Sequence, residues 1–152
     1  MEALDLTVRP PRGPRVRLAG LVFAARAVDK LRASLPGGDL NGYFDETGFS
    51  LTWQHVTKIS LDDLRGVIAE AADEAAVERW IDERLTERAI DRERMNEKME
   101  RFSTDVMPDA WRPIFEKTYP ADLRAAHSSG FGLFEADDAR TYAAGAPAAS
   151  AL

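Results

Sequence analysis

The chain has no cysteine and only two histidines among its 152 residues. The first absence excludes disulfides and thiolate chemistry, and it agrees with a reducing compartment. The second leaves little to build a histidine metal centre from: His55 and His127 stand 72 residues apart and no His-x-x-x-His pair occurs, so no metal is expected. Phosphate-cradling motifs are missing too. Gly37-Gly38 is an isolated turn, not a glycine-rich loop leading into Lys-Ser or Lys-Thr, and there is no dinucleotide fingerprint. Ser128 and Ser129 beside His127 lack the context of a nucleophile elbow. No apolar run approaches the ~18 residues of a membrane span, and Met1–Asp5 carries no basic segment ahead of an apolar one. A cytoplasmic protein without cofactor, metal or membrane contact is the expectation.

What is present begins with charge. Up to residue 35 the net charge is +4, and the remainder carries −10, within an overall −6 and a pI near 5.0. Such a chain lacks the extended positive field that drives nucleic-acid binding, so no nucleic-acid partner is expected. The positive charge concentrates in Arg9-Pro10-Pro11-Arg12-Gly13-Pro14-Arg15-Val16-Arg17. Three prolines favour polyproline II, whose three-residue period would put Arg9, Arg12 and Arg15 along one edge. Guanidinium forks bind carboxylates or phosphates bidentately. Such a strap either docks on the acidic body or meets a ligand.

Helical patterns dominate the rest. Leu21, Val22, Ala25, Val28, Leu31 and Leu35 recur at helical spacing opposite Arg26, Asp29, Lys30 and Arg32, and Pro36-Gly37-Gly38-Asp39 stops the helix. Residues 43–59 read either as a small β-hairpin, with Phe49, Leu51, Trp53, His55, Thr57 and Ile59 on one face, or as a helix. Ser60 with Asp63, and Asp73, are helix N-caps. A stripe of Val77, Trp80, Ile81 and Leu85 continues past Thr86 through Arg92, Asn96 and Met99 as one helix or two. The expectation is a mainly α protein: a compact helical bundle, residues 1–141, with an extended arm over 5–19. The Ala/Gly/Pro stretch 142–152 is expected to be a loose tail.

Asp5-Leu6-Thr7, Arg9-Pro10-Pro11-Arg12, Pro14-Arg15-Val16-Arg17-Leu18, Gly20-Leu21 and Asp29-Lys30 together resemble the opening of a bacterial family known only as a domain of unknown function. Trp80-Ile81, the segment from Met95-Asn96 to Met99, and Phe131 to Asp138 resemble its later parts, so the likeness spans residues 4–138. The family carries a Tyr-Asn-Cys-Pro-like segment where this chain reads Tyr43-Phe44-Asp45-Glu46. The resemblance implies a small, mainly helical protein and supplies no reaction.

By elimination, chemistry at neutral pH falls to general acid–base groups: proton abstraction, isomerisation, elimination or retro-aldol cleavage. The expected function is a cofactor-independent lyase or isomerase acting on a small, oxygen-rich substrate, aromatic or not. His55 and Tyr43 are the candidate proton-transfer residues, with Trp53 as an aromatic wall beside His55. Arg12 and Arg15 are candidates to meet substrate charge. Arg92 and Asn96, polar groups near an apolar stripe, either pair with other helices or line a cleft. The alternative is a non-catalytic ligand-binding or protein-interaction module with the arm as its contact element. A homo-oligomer is compatible with either.

Overall fold

In the computed structural model, which describes residues 1–46, 48–106, 109 and 111–143, the chain is mainly helical. The described helices are α1 (Ala24–Ala33), α2 (Phe49–Thr57), α3 (Leu61–Glu70), α4 (Glu74–Glu87), α5 (Arg92–Glu100), α6 (Arg112–Thr118), α7 (Ala121–Ala126) and α8 (Gly130–Ala143), with a single 3₁₀ turn at Thr104–Val106.

Local chemistry sets many of the boundaries. Ser60 Oγ accepts from the Asp63 amide at 3.3 Å and Asp73 Oδ1 from the Ala76 amide at 2.9 Å, capping α3 and α4 as their sequences predict. The stripe beyond Leu85 is two helices. Ala89 takes a left-handed φ of 50°, and the Ile90 amide reaches back to the Leu85 carbonyl at 3.0 Å, closing α4 with a Schellman turn. Asp91 then caps α5 through the Arg94 amide at 3.0 Å.

The helix-or-hairpin alternative at 43–59 resolves to a turn followed by α2. Phe49, Trp53 and Thr57, four residues apart, lie toward the core, while Leu51 and His55 fall outside. Phe49 joins an aromatic cluster with Phe23, Phe102, Phe131 and Phe134, at centroid separations of 4.8–5.6 Å. Gly130 is required here: a Cβ would stand 2.6 Å from the Phe102 ring.

Helix α1 is the centre of the molecule, and every residue of it except Arg32 is buried. Its apolar side packs mainly on α3, which in turn meets α4. Its charged side, which the sequence pattern would leave in water, is covered by the arm, by α8 and by the chain around Phe44 and Ser50. The arm is docked, though not as one continuous polyproline helix, because it turns at Gly13–Val16 with a 3.0 Å bond from the Val16 amide to the Gly13 carbonyl. Trp80 is half-buried under Arg84, at 5.2 Å, and packs on the core's edge. Tyr142 and Ala143, expected in the loose tail, belong to α8, and the Tyr142 hydroxyl donates to the Leu6 carbonyl. The rest of that stretch, 144–152, lies outside the described residues.

Candidate functional site

Three charged residues of α1 point away from its apolar face, and burial obliges each to find partners. Asp29 meets Arg12, whose Nε and Nη2 donate to it at 3.0 and 2.8 Å while Nη1 and Nη2 donate to Glu74 at 2.9 and 2.5 Å. Arg26 forms a two-pronged pair with Asp138 of α8, at 2.7 and 3.0 Å. The same carboxylate accepts from the Tyr43 hydroxyl at 2.6 Å, and the Arg26 guanidinium stacks over the Tyr43 ring at 5.4 Å. Lys30 differs from its neighbours. Its Nζ donates to the Phe44 carbonyl and to the buried Ser50 Oγ, both at 2.6 Å, and it makes no ion pair among the described residues.

Around Lys30 lies a partly open cavity of about 90 Å³. Arg26, Lys30, Tyr43, Tyr119 and Asp137 supply its polar groups, and phenylalanines 23, 44, 49 and 134 its apolar walls. Asp137 is 8 % exposed. Neither its carboxyl nor the Tyr119 hydroxyl bonds to another described residue; both line the same space and keep a solvent-accessible oxygen there.

The electrostatics follow from burial. Loss of solvent pushes the Lys30 ammonium down to about 7, with the nearby Arg26 charge adding to the effect and Asp45 and Asp138 opposing it. Burial pushes the Asp137 carboxyl up to about 6, helped by Asp138 and opposed by Arg26 and Arg140. Both tyrosines are raised, chiefly by burial, so they remain donors at any physiological pH. An amine and an acid with ordinary values of 10.5 and 3.8 thus titrate close together, at about 7 and about 6. Each can carry or release a proton near neutrality, as a general acid–base couple requires.

The sequence candidates fare unevenly against this geometry. Tyr43 lines the cavity. His55 does not: it is exposed on α2, outside the cavity lining. The strand parity that would put it beside Trp53 and Phe49 is replaced by helical periodicity, which turns it outward. Trp53 is fully buried in the core rather than walling the cavity, with its indole Nε1 unpartnered. Arg12 is committed to Asp29 and Glu74, and the exposed Arg15 pairs with Glu135 at 3.1 Å. Arg92 pairs with Asp82 at 2.8 Å. Asn96 is buried, accepting from the Val22 amide at 3.0 Å and donating to the Gly20 carbonyl at 2.9 Å, which fixes the turn entering α1. Among the described residues no group of three or more metal-ligating side chains occurs.

Lys30, Tyr119 and Asp137 were missed because each looks ordinary in its own segment. The available signal was composition: the chain uses arginine 16 times and lysine four times, yet places a lysine one helical turn from Arg26. Arginine keeps its charge wherever it is put, whereas lysine gives it up on burial.

One comparison places the chain. A model described as a domain of unknown function (DUF5069) matches residues 8–140, which include the arm from Val8 onward and every residue lining the cavity. The chain belongs to that family. None of the curated proteins matches it. The family carries no assigned reaction, so the function has to be argued from the cavity. No described helix is long and apolar enough to cross a membrane.

Proposed function

We propose that this protein is a cofactor-independent lyase or isomerase that moves a proton on a small, oxygen-rich substrate bound in the α1–α8 cavity. Lys30 is the general base, Asp137 and Tyr119 are the acids, and Tyr43 and Arg26 hold the wall in place through Asp138. The observation that carries this reading is one cavity lined by a buried amine with no ion pair among the described residues and by a largely buried carboxyl whose oxygens open onto that cavity. A purely structural lysine on α1 would be served by a carboxylate, as Arg12 and Arg26 are. Support for an enzyme over an interaction module comes from the arm: Arg12, Arg15 and Arg17 all pair with carboxylates of the same chain. The cysteine-free composition is in keeping with a cytoplasmic location.

The test is proton exchange. In deuterated water, small hydroxyketones, hydroxyaldehydes and oxo-acids are incubated with the protein, and loss of their C–H signals is followed by NMR. The wild type should catalyse exchange into at least one of them. The rate should peak between pH 6 and 7, since Lys30 must be neutral while Asp137 keeps its proton. Lys30→Met should lower the rate by about 10²- to 10⁴-fold, the usual contribution of a general base, and His55→Gln should leave it unchanged. Absence of exchange across the panel, or exchange indifferent to Lys30→Met, refutes the assignment.

A further inference from the structure

The surroundings of Lys30 suit a nucleophile as well as a base. Two N–H groups are committed to the Phe44 carbonyl and Ser50 Oγ, both 2.6 Å away. A neutral amine held that way retains one lone pair in a fixed direction. The nitrogen sits 5.2 Å from the Phe23 ring centroid, beside the phenylalanine walls of the cavity, and Lys30 is largely shielded from solvent. Shielding matters because hydrolysis is what normally limits an imine. An arginine at this position would bind an anion and could do nothing covalent.

The cavity's charges narrow the ligand further. Arg26 is cancelled by Asp138, Asp137 adds acid character, and the arginines expected to meet an anion are engaged elsewhere. An uncharged ligand fits better than a carboxylate. A volume of about 90 Å³ leaves space for only a few heavy atoms. We infer that Lys30 forms a covalent imine with a small uncharged hydroxycarbonyl compound, the class of three-carbon hydroxyketones and hydroxyaldehydes. This deepens the proton-transfer reading, on which it rests for the identity of the site.

The step balances within the cavity. The Nζ lone pair attacks the carbonyl carbon, and the carbonyl oxygen takes a proton from Asp137 or Tyr119, giving a carbinolamine. Nitrogen then gives one of its protons to the carboxylate or phenolate so formed, which passes it to the same oxygen; that oxygen leaves as water while nitrogen closes the C=N bond. The iminium keeps one N–H to donate to Ser50 Oγ or the Phe44 carbonyl. Its positive charge then draws electrons from the neighbouring carbon, which is what proton abstraction or retro-aldol cleavage needs.

The experiment uses the wild-type chain, dihydroxyacetone and cyanoborohydride at pH 7, followed by peptide mass mapping. Trapping adds the mass of one dihydroxyacetone less one oxygen atom. The map has few targets: Lys30, the exposed Lys58, Lys98 and Lys117, and the α-amino group. Burial alone would make Lys30 the last labelled. The expected result is the reverse, with Lys30 labelled at least about ten-fold faster than each exposed lysine, because ordinary lysines are almost wholly protonated at that pH. Labelling confined to the exposed lysines and the α-amino group overturns the inference. Deuterium exchange into dihydroxyacetone, run in parallel without reductant, separates the two proposals. Exchange without an adduct keeps Lys30 as a base and removes the imine, and an adduct without exchange keeps the imine and removes the proton-transfer reading. Absence of both sinks both.

Discussion

Replacing Lys30 with methionine should change how stability depends on pH more than how large it is. The substitution keeps an unbranched side chain of similar length and removes the donor to the Phe44 carbonyl and Ser50 Oγ. Two buried acceptors left short should cost about 2–4 kcal/mol where the lysine is neutral in both folded and unfolded chains, above its ordinary 10.5. The wild type, however, is penalised as pH falls. In the unfolded chain Lys30 titrates at its ordinary 10.5, and in the folded protein at about 7. Between those values the unfolded state binds more protons, so wild-type stability rises with pH across the window. Where the proton difference is complete, the slope is about 1.4 kcal/mol per pH unit. About 2 kcal/mol of the wild type's advantage is therefore already gone at pH 9, and about 2 kcal/mol more should go by pH 7.5, taking the two from near parity to a variant as stable as the wild type or more so. Urea titrations of both proteins at pH 7.5, 8.2 and 9, read by tryptophan fluorescence, measure that difference, and groups common to both chains cancel. Parallel stability profiles would show that Lys30 titrates normally in the fold, and the site argument would lose its base.

Asp138→Asn should destabilise the protein by about 3–5 kcal/mol in the same assay, because it strands the Arg26 guanidinium in the core; a loss below about 1 kcal/mol would show that the pair is hydrated. Asn96→Ala should cost about 2–4 kcal/mol through the orphaned Val22 amide and Gly20 carbonyl, and it should speed hydrogen exchange at the Val22 amide, so unchanged exchange there would contradict the bonding.

Much of the helical framework was legible locally. Ser60 and Asp73 cap helices by contacts three residues away, and Pro36-Gly37-Gly38 ends α1's pattern just beyond its observed end at Ala33. Such signals survive because capping and chain-breaking act through a few neighbouring residues. The docking of the arm was legible as a charge asymmetry, although its partners, Asp29, Glu74, Glu135 and Glu93, were not.

Residues 49–59 show where local reading stops. Phe49, Trp53 and Thr57 satisfy a period of two and a period near four equally well. The choice between them decides whether His55 faces a pocket or water. It was settled by the aromatic cluster around Phe49, whose members lie up to 111 residues apart in the chain, from Phe23 to Phe134. The position of the only strongly suspected base therefore followed a contact that no window of sequence contains.

By itself the sequence determined a cysteine-free helical chain with defined caps, an apolar stripe on α1 and a basic strap beside an acidic body. Tertiary structure alone decided that the other side of α1 is not solvent. Helical periodicity reports which residues share a face, and only packing reports what covers that face. Once the arm, α8 and the chain around Phe44 and Ser50 close over Arg26, Asp29 and Lys30, burial forces two of them into ion pairs and leaves the third with neutral partners. That unequal pairing, brought about by Arg12 and Asp138 reaching α1 from opposite ends of the chain, is what turns an ordinary surface-patterned lysine into the centre of a candidate site.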